Sequence, residues 1–228
     1  MTPVARIEDV AVEYPDASGT VRALDHVTCQ FEQGSSTAIV GRSGSGKSTL
    51  VTVLALMRTP TAGEYYFEGE PTSRLRDADK ARLRRRVGIV FQSFHIDDTQ
   101  SVLQNVLLPY HWRPEVAWKT ARRNAELVLE VLGIEQLRDR RASDLSGGQR
   151  QRVAVARAMC QEPALLIADE PTGNLDEATA DEVASAIFGA ARELGLTLVV
   201  VTHDDAVAGL AVTRLRVVSG RIEDGATV

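Results

Sequence analysis

Apolar and polar residues alternate near the start of the chain. Apolar side chains occupy every second position in two runs: Val10, Val12 and Tyr14, then Val27, Cys29 and Phe31. Because successive side chains of a strand point to opposite faces, this spacing predicts two half-buried antiparallel strands. Residues 16–20, which are mostly small or polar, are expected to form the turn between them.

The pattern then changes to that of an α/β fold. Residues 37–40 form a short apolar run, residues 41–46 are rich in glycine, and residues 47–57 are compatible with a helix. A strand, a glycine loop and a helix in this order recur in α/β folds that bind phosphate. Two later runs, over residues 164–168 and 197–202, are continuous and apolar, as in buried parallel strands. A helical stretch over residues 177–194 lies between them.

The middle of the chain has helical spacing. From about residue 92 to residue 144, apolar side chains recur near helical intervals: Ala117, Ala121, Ala125, Val128, Leu129 and Leu132. We therefore expect one α/β domain over residues 1–228, in which a mixed, mainly parallel sheet is flanked by helices. We also predict an N-terminal antiparallel β-subdomain, an α-helical subdomain inserted over about residues 93–145, and a closing hairpin around Gly220.

Composition excludes several classes of protein. Acidic residues outnumber basic ones by 31 to 26, which argues against a surface devoted to nucleic acid. The longest stretch without a charged side chain, residues 99–112, is shorter than the roughly 20 residues of a membrane span. Residues 1–9 lack the apolar core of a secretory signal, so we expect a cytoplasmic protein. Cys29 and Cys160 have no metal-ligand spacing, which predicts core positions.

The glycine-rich loop carries the strongest chemical signal. It fits the pattern GxxxxGK[ST] over nine positions: Gly41, Arg42, Ser43, Gly44, Ser45, Gly46, Lys47, Ser48 and Thr49. Its backbone N–H groups and the following helix N-terminus favour a bound phosphate. Lys47 is expected to reach the β- and γ-phosphates as part of the catalytic set, Ser48 to ligate Mg²⁺, and Thr49 to contact the α-phosphate. The alternative, a loop that only caps a helix, does not account for the strand before it.

Two acids follow the apolar run of residues 164–168. Asp169 stands at the end of a predicted strand, where α/β folds place groups that contact ligands, and is expected to hold Mg²⁺ through water. Glu170 is expected to point in another direction and to act as general base for a water that attacks the γ-phosphorus. A pair of solvated acids is the alternative, which the phosphate loop disfavours.

A second helix start follows the helical insertion. Four residues precede a helix predicted over about residues 150–159 and form a further site for an anion: Ser146, Gly147, Gly148 and Gln149. Because one chain needs only one phosphate cradle, this surplus suggests that a second subunit completes the nucleotide pocket. The plainer alternative is an ordinary serine N-cap.

Residues 145–149, LSGGQ, resemble the signature of the ATP-binding cassette ATPases, and the resemblance covers essentially the whole chain. It implies a P-loop NTPase core that hydrolyses ATP with Mg²⁺. Gln92 matches a residue that contacts Mg²⁺ and the attacking water, and His203 one that hydrogen-bonds the γ-phosphate. Tyr14 matches the aromatic residue that stacks on adenine, with a core position as the alternative. Asp176 matches an acid that crosses the dimer interface, with a helix N-cap as the alternative.

Residues 168–176, ADEPTGNLD, look most like the branch that serves lipoprotein release, macrolide and peptide efflux, and division-site complexes. Relatives there continue from the glutamine with a segment rich in Leu and Pro, whereas residues 93–100 here read SFHIDDTQ. Because family members dock membrane subunits at that place, unpaired acids are expected to alter the choice of partner. Six arginines among acids are expected to form a solvated face: Arg82, Arg84, Arg85, Arg86, Arg122 and Arg123.

The resemblance also implies partners. Two copies should pack head to tail, with each ATP between residues 41–49 of one chain and residues 146–149 of the other. A separate permease should hold the protein at the inner face of the membrane, and ATP-driven dimerisation should power export or membrane extraction. A regulatory ATPase that drives mechanical signalling without transport is the alternative. A cassette acting on DNA or ribosomes and a small-molecule kinase are disfavoured, so no nucleic acid partner is expected.

Overall fold

The computed structural model describes residues 3–16 and 19–223 and contains two sheets. The antiparallel sheet has the spatial order β2-β1-β4-β5 and consists of β1 Pro3–Asp16, β2 Gly19–Glu32, β4 Ala62–Phe67 and β5 Glu70–Pro71. The larger sheet has the order β10-β9-β3-β8-β7-β6 and consists of β3 Ser36–Val40, β6 Val87–Val90, β7 Leu165–Asp169, β8 Thr197–Val201, β9 Thr213–Val218 and β10 Arg221–Glu223. All its neighbouring strands are parallel except the closing hairpin of β9 and β10, as predicted.

The helices connect these strands. Within the described residues they are α1 Lys47–Leu54, α2 Asp77–Arg84, α3 Val102–Leu107, α4 Trp118–Val131, α5 Gly147–Met159, α6 Glu177–Glu193 and α7 Asp205–Ala208. Short 3₁₀ turns add Leu108–Trp112, Glu135–Leu137 and Ala142–Asp144. No helix in this part of the chain has the length and apolar character needed to cross a membrane.

The first two strands are antiparallel as predicted, and burial alternates along β2, whereas three consecutive residues of β1, beginning at Val10, are all buried. Val10 pairs with Val27 in antiparallel register, and both side chains are buried. Of the two cysteines, Cys160 is fully buried as predicted, whereas Cys29 is only half-buried. The predicted turn falls partly on residues 17–18, which lie outside the described residues.

The central strands are buried on both faces, as their continuous apolar runs predict. Leu165 and Ile167 of β7 pack into a core shared with β1, β2 and α1. Leu166 and Ala168 alternate with them and enter a second core, shared with helices α3 to α6. The parallel sheet therefore separates the antiparallel sheet from the helical part of the molecule.

Helices α3 and α4 lie in the predicted helical insertion. Four side chains on one face of α4 are buried, as their spacing predicts: Ala121, Ala125, Val128 and Leu129. Two expectations are wrong. Ala117 is the exposed N-cap of α4, and residues 93–101 are irregular. The side chain of Asp97 accepts a hydrogen bond from the Thr99 N–H at 2.9 Å, the kind of local side-chain bond that competes with helical bonding.

Two helix boundaries also differ from the prediction, each for a local reason. Helix α1 ends at Leu54 rather than residue 57, because Leu56 adopts a left-handed φ of 58°. Helix α5 begins at Gly147 rather than residue 150, because the Ser146 side chain caps it there.

Strand order decides where the predicted site residues meet. Strands β3, β8, β7 and β6 are adjacent and parallel, so their carboxyl ends lie along one edge. The glycine loop follows β3, Gln92 follows β6, Asp169 ends β7 and His203 follows β8. Open parallel sheets bind their ligands at this edge.

Candidate functional site

A cavity of about 700 Å³ opens at the carboxyl edge of the parallel sheet, a volume that suits a small-molecule ligand. Besides Ala23 it is lined by predicted site residues: Gly41, Arg42, Ser43, Gly44, Gly46, Lys47, Ser48, Thr49, Gln92, Asp169, Glu170 and His203. The other predicted site residues, all within the described ranges, do not line it: Tyr14, Ser45, Ser146, Gly147, Gly148, Gln149 and Asp176. The structure thus brings together twelve of the nineteen predicted site residues and leaves seven outside this cavity.

The glycine loop needs glycine for steric reasons. Gly46 has a φ of 110°, and a Cβ there would lie 2.5 Å from the carbonyl oxygen of Ala23. A Cβ on Gly41 would lie 2.3 Å from the carbonyl oxygen of Val217. Larger residues at either position would force the loop away from its neighbouring strands.

The loop leads into the N-terminus of α1, which faces the cavity. The helix has no side-chain cap and no acidic residue in its first turn. Its first N–H groups and its dipole therefore remain available to an anion. Lys47 lies across the loop and donates to the carbonyl oxygens of Gly41 at 2.7 Å and Arg42 at 3.1 Å. A phosphate in the cavity would compete for this ammonium group.

Two predicted nucleotide contacts lie away from the cavity wall. Ser45 is buried beneath the loop, where its carbonyl oxygen accepts from the Gly220 N–H at 2.8 Å. Tyr14 packs against the core of the antiparallel sheet, and the Arg58 guanidinium lies 3.8 Å from its ring centroid. Tyr14 is therefore partly buried against the core, in agreement with the alternative of a core position. One ring face is occupied by a cation.

The two acids at the end of β7, Asp169 and Glu170, differ in environment. Burial raises the pKa of Asp169, and the neighbouring charge of Glu170 raises it further. Glu170 adopts a left-handed φ of 47°, and its N–H donates to the Val201 carbonyl oxygen at 2.9 Å. Such backbone conformations in non-glycine residues cluster at functional sites. The predicted difference in direction between the two acids agrees with this change of backbone conformation.

Glu170 and His203 form a pair at the mouth of the cavity. The His203 Nδ1 atom lies 3.0 Å from both carboxylate oxygens of Glu170. This hydrogen bond raises the pKa of His203, and the carboxylate charge adds to the effect. The pairing favours the protonated imidazole, which can donate to an anion.

Three oxygen donors for a hard cation line the same cavity: the Ser48 hydroxyl, the Gln92 carboxamide and the Asp169 carboxylate. Mg²⁺ in nucleotide sites uses one or two carboxylates together with phosphate oxygens and water, so this donor set fits it. Across residues 3–16 and 19–223, no group of three or more His, Cys, Asp or Glu residues is arranged to hold a metal ion. The donor set suits an ion that arrives with phosphate ligands.

Sequence reasoning missed one contact of the site. The Gln92 Nε2 atom donates to Asn174 Oδ1 at 3.1 Å, which ties the loop after β6 to the loop after β7. Asn174 stands within the run that resembled a family motif, but its side chain had no assigned role. The contact becomes visible only when β6 and β7 are known to be neighbours in the sheet.

The second helix start has the geometry of a capping box. The Gln149 N–H donates to Ser146 Oγ at 3.4 Å, and the Ser146 N–H donates to Gln149 Oε1 at 3.0 Å. Ser146 and Gly147 are exposed. Gly148 is buried against α6, where a Cβ would lie 2.5 Å from Thr179 Cγ2. The serine N-cap weighed as the alternative is therefore present, and it leaves the helix start open to a partner.

Asp176 also caps a helix. Its side chain accepts from the Thr179 N–H at 3.1 Å at the start of α6, and the hydrogen bonds from the Thr179 side chain and N–H lower the pKa of Asp176. Asp176 is exposed. The N-cap alternative is thus present here too, and the interface role stays a prediction.

Several charged residues outside the cavity form ion pairs or hydrogen bonds. Arg86, from the predicted solvated face, lies 2.8 Å from a carboxylate oxygen of Glu68. In the irregular segment, Asp98 lies 3.2 Å from Arg150, and the hydrogen bonds from Thr99 lower the pKa of Asp97. These two acids therefore have partners within the chain, contrary to the expectation of unpaired charges there.

Residues 24–173 match the family model described as ABC transporter. The chain belongs to the ABC transporter family. This confirms the resemblance carried by LSGGQ and the expected fold, and it makes the chain an ABC ATPase.

Known proteins similar to this ABC ATPase include transporter subunits. The lipoprotein-releasing system ATP-binding protein LolD of Oleidesulfovibrio alaskensis is 38% identical over 98% of this chain and 96% of that protein. The macrolide export ATP-binding/permease protein MacB of Syntrophobacter fumaroxidans is 38% identical over 95% of this chain, which spans only 31% of MacB. The dimeric structure of the bacterial cassette MJ0796 covers 96% of both chains at 33% identity, with a TM-score of 0.83. A post-hydrolysis dimer of MJ0796 bound to ADP and Pi gives a TM-score of 0.82.

Proposed function

We propose that this ABC ATPase binds ATP and Mg²⁺ in the cavity and hydrolyses the nucleotide between two copies packed head to tail. Lys47 and the N-terminus of α1 bind the phosphates, whereas Ser48, Gln92 and Asp169 hold the metal ion. Bound there, Mg²⁺ would neutralise charge that develops on the phosphate oxygens.

The hydrolytic step assigned to this site needs a base and a donor. Glu170 accepts a proton from a water molecule as that water attacks the γ-phosphorus. His203 holds the Glu170 carboxylate through Nδ1, so its Nε2 is the ring nitrogen left to donate to a γ-phosphate oxygen. The raised pKa of His203 favours the protonated form that this contact needs. After hydrolysis the γ-phosphate contacts are lost, which favours an open dimer.

One observation carries the proposal of a shared site. Residues 146–149, all in the described part of the chain, do not line the cavity, although they form an exposed helix start that suits an anion. A second copy can present this helix start to the nucleotide held by the first. The dimeric structures of the similar cassette MJ0796 support such an arrangement.

Replacing Ser146 with alanine should weaken ATP-dependent dimerisation. The chain offers a matched control, because Ser101 and Gln104 form a second capping box at the start of α3. Each substitution should cost about 1 kcal/mol of helix capping, but only Ser146→Ala removes a contact to the partner's nucleotide. In a Glu170→Gln background with ATP and Mg²⁺, light scattering after gel filtration should show dimers for Ser101→Ala and mainly monomers for Ser146→Ala. Monomers for the Glu170→Gln chain alone, at saturating ATP, would reject the shared site.

We further propose that the ATPase serves a separate membrane permease in export or in extraction from the membrane. The relatives named as lipoprotein-releasing and macrolide export proteins support this role. A surface on the helical part fits such a partner. Leu108, Trp112 and Trp118 are exposed by 38%, 67% and 55%, and the His111 ring lies between the two tryptophans. Exposed aromatic side chains of this kind are typical of protein interfaces.

Copurification from native membranes in mild detergent tests this role. We expect a protein with several membrane spans to accompany the wild-type chain and to be lost on combined Trp112→Ser and Trp118→Ser substitution. Leu210→Ser with Val212→Ser is the control, because these residues are also exposed apolar side chains, by 45% and 65%. Ribosomal or DNA-bound partners alone would overturn the transporter role. A membrane partner that carries no substrate in release assays would favour mechanical signalling.

A further inference from the structure

We propose that Asn174 is a positioning residue that decides which atom of the Gln92 carboxamide faces the metal ion. The inference rests on the proposed role of Gln92 as a Mg²⁺ ligand. Asn174 itself is exposed and does not line the cavity, so it would act through Gln92 rather than through the ion.

A carboxamide has an oxygen end and a nitrogen end of nearly equal size. A glutamine without fixed partners can present either end to the cavity. Only the oxygen can ligate Mg²⁺, whereas the NH₂ group would direct its positive dipole end at the cation. A glutamine ligand therefore works best where its neighbours select one orientation.

The hydrogen bonds between Gln92 and Asn174 make this selection. The backbone carbonyl oxygen of Gln92 can only accept, and the Asn174 Nδ2 atom donates to it at 3.1 Å. This bond leaves Asn174 Oδ1 as the atom that meets the Gln92 side chain. Because Oδ1 can only accept, Gln92 must turn its Nε2 towards it, and that distance is also 3.1 Å. The Gln92 Oε1 atom is then left free for a cation.

Gly173 gives independent support, because it makes room for the same carboxamide. A Cβ at Gly173 would lie 2.9 Å from Gln92 Nε2 and 3.3 Å from Gln92 Cδ. Gly173 is not among the glycines with a positive φ, so its backbone conformation alone does not call for glycine. The turn is held in place by the Gly173 N–H, which donates to the Glu170 carbonyl oxygen at 3.1 Å. The loop after β7 thus both seats and orients the Gln92 side chain.

The test compares ATP affinity with and without Mn²⁺, which replaces Mg²⁺, by calorimetry in the non-hydrolysing Glu170→Gln background. The ratio of the two affinities, called here the metal gain, reports ligation and not turnover. Gln92→Ala should lower the metal gain. Asn174→Ala should lower it about three- to tenfold, because the binding-competent orientation is less populated.

Two controls make the result decisive. Asn174→Ala should change the metal gain no further when Gln92 is already alanine, since a positioning residue has nothing left to position. Gln136→Ala, at a distant exposed position, should leave the metal gain unchanged. The ATP affinity measured without metal should be the same in all variants. If Gln92→Ala lowered the metal gain and Asn174→Ala did not, the inference about Asn174 would be wrong while the metal role of Gln92 would stand. The same holds if Asn174→Ala lowered the metal gain equally in the wild-type chain and in the Gln92→Ala chain. An unchanged gain for Gln92→Ala would also overturn the metal role proposed for Gln92.

Discussion

Glu170→Gln should retain ATP binding and lose most ATP turnover. The carboxamide keeps the shape of the side chain but cannot accept the proton of the attacking water. General-base catalysis contributes about 10²- to 10⁴-fold, so we expect a loss of that size in phosphate release. ATP affinity should change little, because the substitution leaves Lys47 and the helix N-terminus, the groups proposed to bind the phosphates, untouched. Phosphate release and nucleotide binding should be measured on the same preparation, with and without the copurified membrane partner.

A second readout shows whether the substitution acts locally. The Glu170 carboxylate raises the pKa of His203, so in the glutamine variant His203 should lose its proton at a lower pH than in the wild type. Proton NMR of the imidazole ring can follow this titration. The matched control is Glu193→Gln, at the exposed end of α6, which should alter neither turnover nor the pKa of His203. Normal turnover of Glu170→Gln in the permease-bound enzyme would refute the assignment of Glu170 as base.

Lys47→Ala should remove most of the stabilisation that ATP gives to the folded protein. The ammonium group lies over the loop and would donate to the β- and γ-phosphates. Loss of charged hydrogen bonds costs about 1.5–3 kcal/mol each, so we expect ATP to bind about 100-fold more weakly. At an ATP concentration 100 times the wild-type Kd, the stabilisation should fall from about 2.7 to about 0.4 kcal/mol. Thermal unfolding with and without ATP measures this change.

The control for this prediction is another lysine. Lys80 donates to Thr59 Oγ1 at 2.6 Å on an exposed part of α2, outside the cavity lining. Lys80→Ala removes the same charge and should leave the ATP-dependent stabilisation intact. An unfolding scan without ATP shows what Lys47 contributes through its own bonds to Gly41 and Arg42. If ATP stabilised Lys47→Ala as much as the wild type, the cavity would not be the phosphate site.

Local patterns were sufficient to predict most elements of this ABC ATPase. Alternation over Val10 and Val27 predicted the antiparallel strands, and the continuous runs predicted β7 and β8. The phosphate loop was also predictable, because its chemistry depends on consecutive residues such as Gly46 and Lys47. These predictions succeed because side-chain periodicity and backbone freedom are properties of short segments. They fail over residues 93–101, where a local side-chain hydrogen bond such as that of Asp97 competes with helical bonding.

The tertiary structure decided which of these segments act together. The order of the parallel strands brings Gln92, Asp169 and His203 to one cavity, although long stretches of chain separate them. Neither the Glu170–His203 pair nor the reciprocal bonds of Gln92 with Asn174 follow from any local pattern. Such contacts depend on strand order and loop paths, which arise only when distant segments pack. The amino-acid sequence by itself determined the elements and the chemical groups, and tertiary packing determined which groups meet.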